Sequence, residues 1–91
     1  MADKFAELIS SAQYCVAIVG EASTGKFSLM DPSLAPIEGF LGVVGIVQGR
    51  TRSAFVEELP QPMLDAIRKE FCGRIEAGIV ELAKIFLAPA N

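Results

Sequence analysis

The stretch VAIVGEASTGKFS, Val16 to Ser28, decides how this chain is read. A run of small and branched apolar residues leads to Gly20, then four residues, then Gly25 and Lys26. That matches the first seven positions of the phosphate-binding loop G-x-x-x-x-G-K-[ST], in which backbone amides and a helix N-terminus cradle phosphate. The eighth position, which should hold a magnesium-binding hydroxyl, is Phe27, and Ser28 comes one residue late. Pro32 and Pro36 follow within ten residues of Lys26, so no long helix can start there. The later apolar run FLGVVGIVQGR ends in Gln48, Gly49 and Arg50 rather than in an acid that could hold the metal. The stretch therefore reads as a β-hairpin, with EASTG as its turn and Gly25 free to take positive φ.

Working outward, Phe5, Leu8, Ile9 and Ala12 mark one face of a helix over residues 3–12. YCVAIVG reads as a strand, and KFSLM alternates as a half-exposed one. DPSLAPIEG is a connection with one short helical turn after Ser33. FLGVVGIVQ is a second continuous apolar run whose branched residues favour strand, while Gly42 and Gly45 disfavour helix. A tight turn at Gly49-Arg50 then leads into TRSAFVEEL, where Phe55 and Leu59 alternate with Arg52, Ala54 and Glu58.

From PQPMLDAIRKEF onward the period becomes helical. Pro62 suits the first helical position and Asp65 the first turn. Leu64, Ile67, Phe71, Ile75, Ile79, Leu82 and Phe86 form a stripe, with Asp65–Lys69 and Glu70–Arg74 as i,i+4 pairs on the other side. Pro89 stops the pattern after about Leu87, and Gly73 and Gly78 are candidate kinks.

The expected architecture is a single α+β domain over residues 1–91, with two layers. It has an N-terminal helix, two β-hairpins forming a four-stranded sheet, and a long C-terminal helix that is kinked if a glycine breaks it. The runs at 14–19 and 40–47 should be central, which favours the order 2-1-3-4. With strands one and three taken to run the same way, both hairpin tips fall at one end of the sheet. With both helices on one face, a second copy of the sheet would cover the other.

Composition narrows the function classes. Hydrophobic residues make up 52% before the 8 glycines are counted, against about 45–50% with glycine included in an ordinary domain. A domain this small needs fewer apolar residues than average, so the surplus calls for a second buried surface, and self-association supplies one. A membrane span is excluded by length, since GFLGVVGIVQG has 11 residues and four glycines and a spanning helix needs about 20. The acids Asp3 and Glu7 and the missing apolar core of MADKFAELIS read against a signal peptide, so a cytoplasmic location is expected. Net charge is −3 with the basic residues scattered, which reads against nucleic acid as a partner.

The chain has no histidine, which removes the commonest general base and metal ligand. Cys15 and Cys72 lack paired spacing and sit in the apolar runs YCVAIV and EFCGRI, so both are expected to be buried and inert. Glu57 and Glu58 point to opposite faces of a strand and form no two-carboxylate site. The sequence nominates no catalytic residue, no metal ligand and no cofactor. An enzyme would have to rely on lysine, cysteine or carboxylates, and no pair of these stands out.

Two readings remain. The first is a non-catalytic homo-oligomer, dimer or larger, acting as an adaptor, regulatory or inhibitor-like module through an apolar surface and open to a protein partner. Residues 79–87 supply the expected interface, because IVELAKIFL is apolar on nearly every side: Ile79, Val80, Ala83, Ile85, Phe86 and Leu87. A helix over 62–87 would be about 39 Å long, and a seven-residue strand spans only about 23 Å, so the last turns must bend back or overhang. The second reading is a small-ligand binder. Gathered hairpin tips would set Lys26, Arg50, Arg52, Thr24, Gly25 and Gly49, with the hydroxyls of Ser23 and Thr51, around an anionic metabolite or nucleotide.

Overall fold

The hairpin forms at the opening stretch, and the rest of the fold is built on it. The computed structural model describes residues 4–78. Their order is α1 (Lys4–Ser11), β1 (Tyr14–Glu21), β2 (Lys26–Met30), a 3-10 turn at Pro32–Leu34, β3 (Phe40–Val47), β4 (Arg50–Phe55) and α2 (Gln61–Gly78). The four strands make one antiparallel sheet in the order β2-β1-β3-β4, an α+β fold with the two continuous apolar runs at its centre.

Strand direction corrects one expectation. β1 and β3 are antiparallel neighbours, with Tyr14 opposite Ile46, Val16 opposite Val44 and Ala17 opposite Val43. The hairpin tips therefore lie at opposite ends of the sheet. Close backbone approach fits this register: a Cβ on Gly45 would fall 2.7 Å from the Cys15 Cβ and 2.8 Å from the Tyr14 carbonyl oxygen. The connection makes it possible, because the nine residues 31–39 can reach about 30 Å. They run back along the sheet, and the Gly39 carbonyl accepts from the Gly20 amide at 2.8 Å. Asp31 caps the 3-10 turn by accepting from the Ser33 amide at 2.8 Å and the Ser33 hydroxyl at 2.7 Å.

Side chains alternate across each strand, so β1 sorts its residues to two faces. Val16 and Ile18 join Val44, Ile46, Leu29 and Leu41 in a core closed by Met63, Ile67, Phe71 and Ile75 of α2. The buried row on α2 follows i,i+4 from Met63, and Leu64 is its half-buried margin. The helix begins at Gln61, so Asp65 lies beyond the first turn and accepts from Gln61 Nε2 at 2.9 Å. It continues through Gly73 to Gly78, and the expected residues 79–87 lie outside the described part. Leu59, expected in β4, is buried in the connection to α2.

The reverse face is not left for a second sheet. Ala17 and Val43 point away from α2, yet both are 0% exposed. There α1 packs on β3 and β4, with Phe5 edge-on to Phe40 at 5.3 Å between ring centroids, and the 3-10 turn contacts β1. One helix therefore lies on each face, and the crossover covers part of what α1 leaves.

Candidate functional site

The first hairpin tip is closed by its own backbone. Gly25 takes φ 76°, which lets the amides of Thr24 and Gly25 turn inward and donate to the Glu21 carbonyl at 3.3 and 3.0 Å. The Thr24 hydroxyl donates to the same carbonyl at 3.4 Å and accepts from the Lys26 amide at 3.4 Å. In a phosphate loop these amides would face the ligand; here the turn uses them. Gly20 is a strand residue opposite Phe27, where a Cβ would fall 2.0 Å from the Lys26 carbonyl oxygen. Its glycine serves close strand approach. β2 starts at Lys26 itself, so no helix follows the loop.

At the second tip Gln48 and Gly49 take φ 54° and 79°, the paired positive values of a type I′ turn. Arg50 is therefore the first residue of β4, opposite Val47, rather than part of the turn. Arg52 lines a cleft of about 1110 Å³ between α1 and β4, together with Lys4, Glu7, Glu57 and Glu58. Two cations and three acids line it, so it is no basic pocket.

The two tips do not meet. β1 pairs near one tip through Tyr14 and near the other through Glu21, and seven strand steps cover about 23 Å. Lys26, Thr24 and Gly25 are thus held apart from Arg50, Arg52 and Gly49 by the length of the sheet.

The thiols differ from each other. Cys15 is half-buried, and burial pushes its thiol above the ordinary 9.0, with the nearby Asp31 carboxylate adding to the shift. Cys72 is exposed, which corrects its expected burial. Helical geometry turns it about 100° from Phe71, out of the core. Asp31 is held below its ordinary value by the two hydrogen bonds from Ser33. Among the described residues no three His, Cys, Asp or Glu side chains are grouped to hold a metal ion, and no helix is long and apolar enough to cross a membrane.

Sequence reasoning missed a set of exposed apolar side chains: Ile37 at 96%, Leu34 at 74%, Val56 at 50% and Ile9 at 39%. The signal was available in DPSLAPIEG, where Leu34 stands between Pro32 and Pro36 and Ile37 follows Pro36 in a connection that offers no periodic face. No family model matches the chain, and no curated protein or solved structure matches it.

Proposed function

We propose that the protein is a non-catalytic homo-oligomeric interaction module, adaptor, regulatory or inhibitor-like, that works through an apolar surface. The observation that carries this reading is the crossover loop, where Leu34 and Ile37 are 74% and 96% exposed within four residues. Fully burying such a side chain is worth about 1.5–3 kcal/mol, and a contact with another chain can recover that. The apolar surplus of the composition supports the same reading. Residues 79–87 extend it as a sequence-based expectation, with Ile79, Val80, Ala83, Ile85, Phe86 and Leu87 as contact residues.

Sedimentation velocity at micromolar concentration tests this, with a dimer or larger closed assembly expected. A well-behaved monomer would end the proposal. The anion-binding reading loses its main support once the two tips are separated. A thermal-shift panel of phosphorylated metabolites tests it directly. A ligand at 100 times its dissociation constant adds about 2.7 kcal/mol of stability, and none of the panel is expected to do so.

A further inference from the structure

Among the described residues the sheet has two free edges, β2 and β4. α2 contacts β2 across the core face, where Leu29 joins the cluster of Met63, Ile67, Phe71 and Ile75. β4 is flanked by the cleft against α1 on one face and by a smaller one of about 240 Å³ on the other, where Thr51 and Ser53 meet Leu64 of α2. Both clefts open beside β4, and among the described residues no strand pairs with its outer edge.

The backbone of β4 fixes what that edge offers. The Val56 amide donates to the Leu41 carbonyl at 2.9 Å, and the Ala54 carbonyl oxygen faces Gly42 of β3. Strand alternation then turns the N–H and C=O groups of Thr51, Ser53 and Phe55 to the free edge. An unpaired edge of this kind is a template for another strand.

Charge selects the occupant. Over RTRSAFVEE the cations Arg50 and Arg52 stand at the start, and the acids Glu57 and Glu58 at the end. A second copy laid parallel would set like charge on like. Laid antiparallel, it sets the basic end of each strand beside the acidic end of the other, and the edge is complementary to itself.

We propose that a second copy of this chain adds its β4 antiparallel to β4 about a two-fold axis at Ser53, joining the two sheets into one. Outward-facing groups must meet outward-facing groups, so Ser53 opposes Ser53 of the second copy and Thr51 opposes its Phe55. The inference rests on the self-association proposed above and adds where it occurs. It uses a part of the chain other than residues 79–87, so variants of each report separately.

Ser53→Lys tests it, because two ammonium groups at the axis repel, whereas Ser53 is exposed and its N–H is not paired to β3. Ser28→Lys on β2 is the control. Masses by sedimentation velocity and folding by circular dichroism are read for wild type and both variants. The expected result is an assembled wild type, a Ser53→Lys variant of lower mass with an unchanged spectrum, and a Ser28→Lys variant like wild type. An assembled wild type whose mass survives Ser53→Lys overturns the β4 edge but leaves self-association standing. A monomeric wild type overturns both.

If Ser53→Lys fails to fold, charge reversal decides. Arg50→Glu with Arg52→Glu, and separately Glu57→Arg with Glu58→Arg, should each weaken self-association by about tenfold or more. Mixing the two variants should restore it. Failure of the mixture to assemble overturns the proposal.

Discussion

The rings of Tyr14 and Phe71 lie nearly parallel, 14° apart with centroids 5.7 Å from each other. The contact ties the first strand to the last helix across the centre of the core. Phe71 is 0% exposed, so Phe71→Ala should cost about 3–5 kcal/mol. A double-mutant cycle with Tyr14→Ala should return a coupling of about 0.5–1.5 kcal/mol. Urea unfolding at fixed protein concentration measures both. A loss below 1 kcal/mol for Phe71→Ala would mean that α2 does not close this core.

Two glycines should respond with opposite signs. A Cβ on Gly73 meets nothing within 4 Å, and the residue lies inside α2. Gly73→Ala should therefore stabilise by about 0.5–1 kcal/mol through helix propensity and a less flexible unfolded chain. A Cβ on Gly45 would fall 2.7 Å from the Cys15 Cβ, so Gly45→Ala must push β1 from β3, at about 1–3 kcal/mol. Thermal melts of the two variants should move in opposite directions.

The architecture was legible because each element leaves a different mark. Continuous branched runs at 14–19 and 40–47 identify strands buried on both faces, which are central by necessity, and the shift to helical spacing after Pro62 identifies α2. Strand direction was not legible. A strand that is apolar on both faces shows the same pattern whether its neighbour is parallel or antiparallel. The reach of residues 31–39 permits the antiparallel arrangement and Gly45 permits the close approach within it, and neither is a periodicity. The expectation that both hairpin tips share an end fell for the same reason, since Lys26 and Arg50 meet there only if β1 and β3 run alike. Burial of Cys72 does not follow from the run EFCGRI, because on a helix only Phe71 and Ile75 of that run share the buried face.

Lys26 gives a direct test of the hairpin. The amides that would bind phosphate already donate to Glu21, so Lys26→Ala should leave the fold intact and ATP turnover at background in both proteins. Turnover in the wild type that vanishes in the variant would restore the phosphate-loop reading.

The thiols predict a pH dependence. Exposed Cys72 should react with a disulfide reagent well before half-buried Cys15. Burial, then the charge of Asp31, raises the Cys15 value in the fold. Its thiol is therefore protonated more readily in the folded chain than in the unfolded one. That contribution to stability is fully present below pH 9.0, the unfolded value, and is lost as pH rises through the higher folded value. Asp31 acts in the opposite sense: its depressed value favours the fold above the ordinary 3.8 and the advantage fades as pH falls through the folded value. Cys15→Ser should flatten the alkaline loss, measured by urea midpoints from pH 8 to 10, whereas an unchanged profile would remove the thiol from the account.

Assembly can be separated from folding at the crossover loop. Ile37 is 96% exposed and Leu34 74%, so neither stabilises its own chain much, and Leu34→Ser with Ile37→Ser should change monomer stability by no more than about 0.5 kcal/mol. If the loop is buried between chains, the same pair should weaken association by up to about 3–6 kcal/mol, on the order of 10² to 10⁴ in dissociation constant. Ile85→Glu and Phe86→Glu probe residues 79–87 in the same way and should yield monomer or aggregate. Sedimentation over a concentration series reads the association, and circular dichroism reads the fold. A loop variant that associates like wild type removes Leu34 and Ile37 from the contact. Glutamate variants that do so as well would leave the β4 edge as the surface to explain any assembly.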